Sequence, residues 1–124
     1  MPEHHQSGHE ARIDPRAPVR VPGRLFATVS GPGGVEITIL NLSGSGALCE
    51  SPVRCTLGTS ARVCMDLPGG SGTPHSIVIE AIVVRVEGSG SFITALHFVG
   101  VPDRIRTLIR KFVFDYSSMR SAEA

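Results

Sequence analysis

The chain has 124 residues, 12 basic and 11 acidic side chains, a net charge of +1 and 41% apolar residues. That supports one packed domain and argues against both wholesale disorder and bulk, non-specific polyanion binding. The longest apolar run, 77–84, is broken by Glu80 and falls far short of the roughly 20 residues of a membrane span, and the polar opening MPEHHQSGHE has no secretory h-region.

Residues 1–15 contain three His, three acids, one Arg and two Pro, without apolar periodicity, and read as a flexible arm. His4, His5 and His9 have no Cys or carboxylate at ligand spacing to close a metal site, so no metal is expected. Pro18 and Pro22 forbid a helix over 17–23 and favour an extended path. Strands are predicted from Leu25 onward. Leu25, Ala27 and Val29 alternate with Phe26 and Thr28, and Val35, Ile37 and Ile39 alternate with Glu36 and Thr38 across an S-G-P-G-G turn, which gives a hairpin. Residues 41–46 form a small polar loop, followed by a short strand at 47–49. Further strands are predicted at 61–67, 76–87 and 92–99, separated by the glycine-rich turns P-G-G-S-G-T-P and G-S-G.

The pattern changes at Pro102. Ile105, Leu108, Ile109, Phe112, Val113 and Tyr116 follow the spacing of one helical face, with Pro102 and Asp103 suited to the first turn. Six or so short strands and one amphipathic helix argue for a small antiparallel barrel or sandwich with a helix packed on it.

The sequence offers little for catalysis. No G-x-S-x-G, P-loop, G-x-G-x-x-G or zinc pattern is present. His75 follows a turn, and His97 lies in the last strand with no paired carboxylates nearby in sequence, so both read as structural or surface residues and no enzyme is expected. Cys49, Cys55 and Cys64 are odd in number and lack a C-x-x-C, which fits reduced thiols in a cytoplasmic protein.

Two clusters suit binding. Arg12, Arg16, Arg20 and Arg24 recur every four residues, and the prolines rule out a helical stripe, leaving a tether carrying guanidinium forks. Asn41, Ser43 and Gly46 in N-L-S-G-S-G offer an amide, a hydroxyl and a close backbone approach, or simply a tight turn between strands. Together the clusters resemble the two-part motif of the PilZ domain family, R-x-x-x-R followed by [D/N]-x-S-x-x-G. Arg16 to Arg20 fits the first part and Asn41 to Gly46 the second, 21 positions on, while A-L-H-F-V-G-V-P-D-R-I-R-T-L-I-R-K-F is similar to the family's last strand and terminal helix.

The resemblance spans roughly 12–116 and implies a six-stranded antiparallel barrel with one C-terminal helix. It divides the chain into a flexible arm (1–11), an arm motif (12–24), a barrel (25–99), a helix (102–116) and a flexible tail (117–124). It further implies a stand-alone bacterial receptor for cyclic di-GMP, with no cofactor, binding through Arg16, Arg20, Asn41, Ser43 and Gly46. Arg12 and Arg24 are candidates in the alternative registers Arg12/Arg16 and Arg20/Arg24. Pro15 stands where some relatives carry a further Arg. The ligand is expected to order the arm over itself, and the protein to signal by docking to an effector of motility, exopolysaccharide or virulence control, with no nucleic acid bound and no membrane insertion. The alternatives are a PilZ-like protein–protein adaptor without a nucleotide and, more remotely, an unrelated nucleic-acid-binding barrel. Few aromatics fall on strands for stacking, which weighs against the last.

Overall fold

The computed structural model describes residues 16–68 and 73–123, with side chains to Ser118. The arm at 1–11, Arg12 and the centre of the P-G-G-S-G-T-P turn lie outside the described residues. The strands are β1 (Ala17–Phe26), β2 (Val35–Leu42), β3 (Gly46–Ser51), β4 (Ser60–Leu67), β5 (His75–Glu87) and β6 (Phe92–Val99), followed by helix α1 (Asp103–Glu123). They close in the order β1-β2-β3-β6-β5-β4, every pair antiparallel, with β4 returning to β1. The fold is the six-stranded barrel with a C-terminal helix that the sequence resemblance implies.

Alternation puts one apolar set inside. Ala17, Val19, Val21 and Leu25 of β1 meet Ile37 and Ile39 of β2, Val63 and Met65 of β4, and Ile77, Ile79, Ala81 and Val83 of β5. The helical stripe is confirmed, with Ile105, Ile109 and Val113 buried and Leu108, Phe112 and Tyr116 packed beside them. The β1–β2 connection depends on Gly34, whose φ of 71° suits glycine and whose absent Cβ would sit 2.8 Å from the Leu25 carbonyl oxygen.

Four boundaries differ from expectation; the first is that β1 ends at Phe26, with Thr28–Ser30 a short 3-10 turn and Val29 exposed rather than continuing the strand. The barrel begins at Ala17 rather than Leu25, so residues 17–24 are a laddered strand and not a tether. Ala17, Val19 and Val21 supply an inward face that outweighs the two prolines. Pro18 and Pro22 stand outward, and Pro18 borders a register shift, where a missing N–H is tolerated. The third strand starts at Gly46 and runs to Ser51, leaving a loop of only 43–45. The helix continues to Glu123, so 117–123 is helical rather than a tail, because S-S-M-R-S-A-E contains no Pro or Gly to stop it.

Two β-bulges re-aim side chains on the outer face of the barrel. In β2, Ile39 pairs with Cys49 and Asn41 with Leu48, so Leu40 has no partner in β3. In β5, Val83 pairs with Leu96 and Arg85 with Ala95, so Val84 is the extra residue. Each bulge reverses the in/out alternation of its strand.

Candidate ligand-binding site

The N-L-S-G-S-G segment is built around Ser43. This side chain is 1% exposed. The backbone N–H groups of Ser45 and Gly46 each donate to its Oγ at 3.2 Å, and the Ser45 hydroxyl lies 3.2 Å from it. The Ser43 N–H donates to the Gly46 carbonyl at 3.0 Å. Ser43 therefore shapes the loop from within, and its hydroxyl is engaged there rather than turned to solvent.

Gly46 is fixed by packing. A Cβ at this position would lie 2.5 Å from the Leu96 carbonyl oxygen across the β3–β6 ladder. The loop is tied further by the Phe98 N–H, which donates to Ser45 O at 2.9 Å, and by the Arg106 guanidinium, which donates to Gly44 O at 3.2 Å. Arg106 thus links α1 to the loop.

Asn41 owes its position to the β2 bulge. Ile37 and Ile39 point inward, and an unbroken strand would send Asn41 after them. With Leu40 inserted, Asn41 turns outward and Leu42 takes the core position. Ala17 pairs with Leu42, so Arg16, one residue before β1, falls level with the 43–45 loop and lines the same cavity as Asn41. A cavity of about 370 Å³ opens on this outer face. Arg16, Asn41, Ser45 and Gly46 line one side, and Val84, Arg85, Ala95 and His97 line the other. The volume falls in the range of small-molecule pockets.

The other arginines lie elsewhere. Arg20 lines a separate cleft of about 440 Å³ between β1 and α1, with Leu67, Leu108, Lys111, Phe112 and Asp115. Arg24 sits at the far end of β1, where it donates to Gly33 O at 3.0 Å and pairs with Glu36 at 3.4 Å. Its register partner is Glu36 while that of Pro18 is Asn41, a separation of roughly 20 Å along the strand at 3.3–3.4 Å per residue. Of the expected set, the structure brings together Arg16, Asn41 and Gly46, with Ser43 beneath them. It does not bring Arg20 or Arg24 into the same cavity. The wall containing Arg85 and His97 has no signal in the sequence, because it depends on the β5 bulge and on the β3–β6 pairing.

No group of three or more His, Cys, Asp or Glu able to hold a metal occurs among the described residues. No helix among them is long and apolar enough to cross a membrane.

The PilZ domain family model matches residues 10–115, and the chain belongs to that family. Solved structures with the same fold include the Bacillus subtilis inhibitor of motility MotI/DgrA, at TM-score 0.70 and 16% identity over 84% of this chain and 49% of that one. The PilZ domain of Escherichia coli YcgR with c-di-GMP superposes at TM-score 0.66 and 10% identity, covering 89% of this chain and 95% of that domain. The K. pneumonia MrkH–c-di-GMP complex matches at TM-score 0.68 and 13% identity over 90% of this chain and 54% of that one. The chain thus spans about half the length of MotI/DgrA and of MrkH. Among curated proteins no sequence match emerges.

Proposed function

We propose that this chain is a cyclic di-GMP receptor that acts on a protein effector. The observation that carries the reading is the meeting of Arg16, Asn41 and Gly46 at one cavity, from two motifs separated in sequence. Support comes from YcgR and MrkH, solved as c-di-GMP complexes with the same fold.

The chemistry matches. The ligand carries two phosphodiester anions and two guanines. A guanidinium fork suits both phosphate oxygens and the O6/N7 edge of guanine. Asn41 can both donate and accept at a base edge. Ser43 and Gly46 act one layer below, by holding the loop against β6. Arg20 joins the ligand only if its side chain leaves the cleft under α1, which would couple occupancy to the helix. Residues 17–24 are already a paired strand, so the ordering expected of the arm does not extend to them. The output is docking to a partner, and the motility control named for MotI/DgrA is one candidate process.

Isothermal titration calorimetry with cyclic di-GMP, with GTP as control, tests this. Wild type binds cyclic di-GMP in the micromolar range or tighter and ignores GTP. Arg16→Ala loses at least about tenfold in affinity, the scale of one bidentate contact. A folded wild-type protein that gives no heat would instead favour the nucleotide-free adaptor.

A further inference from the structure

The outer face of the barrel around the cavity has a definite cross-section. In strand order it runs from Arg16 at β1, through Asn41 on β2 and Gly46 on β3, to Ala95 and His97 on β6 and Val84 and Arg85 on β5. Gly46 and Ala95 leave its middle low beside Leu48 and His97, and Arg16, Asn41 and Arg85 stand around them. The result is a shallow trough on the outer face of β2, β3, β6 and β5, with Arg16, one residue before β1, on one side and Arg85 on the other.

The two edges are made in the same way. Ile77, Ile79, Ala81 and Val83 of β5 point inward, and strict alternation would send Arg85 into the core. The bulge at Val84 turns both Val84 and Arg85 outward and returns Val86 to the core side. The β2 bulge does the same for Asn41. Bulges that re-aim one polar side chain are a recurring device beside binding sites. Here one serves each side of the same trough.

We infer that Arg85 and His97 form a second ligand-contacting wall, so that the nucleotide lies across the trough between Arg16 and Arg85 rather than on the Arg16–Asn41 side alone. This rests on the chain being a cyclic di-GMP receptor. Arg16 and Arg85 line one cavity of about 370 Å³, so a single ligand can meet both. A ligand that engages both needs two recognisable ends, and two linked guanine nucleotides provide them. Arg85 offers a guanidinium fork to a phosphate or to guanine O6 and N7. Its present partner is Glu87, 3.5 Å away, with the two side chains 56% and 62% exposed, so the pair exchanges readily for a ligand. Val84, also exposed, offers an apolar surface beside the base. His97 pairs with Gly46 in the ladder and stands exposed over the gap that the missing side chain leaves.

The test is calorimetric titration of cyclic di-GMP into wild type and the variants Arg16→Ala, Arg85→Ala, Arg85→Lys, His97→Ala and Arg62→Ala. Arg62 is an exposed β4 cation paired with Glu80 and lies off the trough, so its removal controls for general charge loss. Arg85→Ala should weaken binding by about tenfold or more, as expected for one forked contact. Arg85→Lys should recover only part of this, because a point charge lacks the fork. His97→Ala should also weaken binding, Arg62→Ala should leave it unchanged, and thermal unfolding of Arg85→Ala should match wild type. If Arg16→Ala loses binding while Arg85→Ala and His97→Ala stay within about twofold of wild type, the second wall is wrong and the receptor reading stands. If wild type itself does not bind, both fall.

Discussion

Gly46 answers two demands at once. It lies in the candidate ligand loop, which alone would account for a glycine, but its absent side chain is required by the barrel. A Cβ there would meet the Leu96 carbonyl oxygen at 2.5 Å, and that atom belongs to a paired strand. Gly46→Ala should therefore cost about 1–3 kcal/mol, as overpacking against fixed backbone does. Urea unfolding measures this, and an unchanged midpoint would show that β3 can shift without penalty. Cys49 illustrates a different residue-scale constraint. Burial, reinforced by nearby Cys55, pushes its thiol up to about 12 from 9.0. The folded state then holds its proton over a range in which the unfolded chain has released it. Stability is retained below about pH 9 and falls as pH rises toward about 12. Denaturation followed across that range should show the decline, with a shallower slope for Cys49→Ala, and Cys49 should resist alkylation in the folded protein at neutral pH because the thiolate is the reactive species.

At the scale of elements, the parts of the sequence with unbroken periodicity are legible. The α1 stripe, from Ile105 to Tyr116, and the inward positions of β4 and β5 up to Val83 follow directly from spacing. What is not legible is where periodicity breaks. Nothing local marks Leu40 or Val84 as extra residues, because a bulge is defined by its partner strand, and the partners arrive only when the barrel closes. Arg85 is hidden for that reason, and Asn41 emerges through its motif alone. The start of β1 is misplaced when residues are read in isolation, because the prolines then outweigh Ala17, Val19 and Val21. The link from α1 to the loop is also invisible, since Arg106 and Gly44 are 62 residues apart. Arg106→Ala should remove the donor to Gly44 O and loosen the loop. Hydrogen exchange should show faster exchange at the amides of Ser45 and Gly46, with the β4–β5 amides unaffected. The stability cost should be near 1 kcal/mol, as for a typical single hydrogen bond. Equal protection in wild type and variant would mean that Ser43 and the Phe98 N–H hold the loop without Arg106. Ile109→Ala, at 0% exposure beneath the helix, should cost more, about 2–5 kcal/mol.

For the whole molecule, charge separates local recognition from bulk attraction. A net charge of +1 gives no strong far field, and many of the cations are locally paired: Arg24 with Glu36, Arg62 with Glu80, Arg85 with Glu87 and Lys111 with Asp115. Affinity for a small dianion must then come from contact chemistry within the trough, in shaped hydrogen bonds that salt screens only in part. Affinity for a long polyanion would depend on summed phosphate attraction, which falls steeply with salt. The two should therefore diverge. Raising ionic strength from about 0.1 to 1 M shortens the Debye length from about 10 to 3 Å. Cyclic di-GMP binding should weaken only modestly across that range, whereas any retention on duplex DNA should vanish at the low end. Titrations at both salt concentrations, beside a DNA mobility shift at about 0.15 M, make the comparison. If cyclic di-GMP affinity collapses in parallel with DNA retention, the trough is only a weak cationic patch. If it persists while DNA is released, recognition resides in the geometry that the two bulges and Gly46 create.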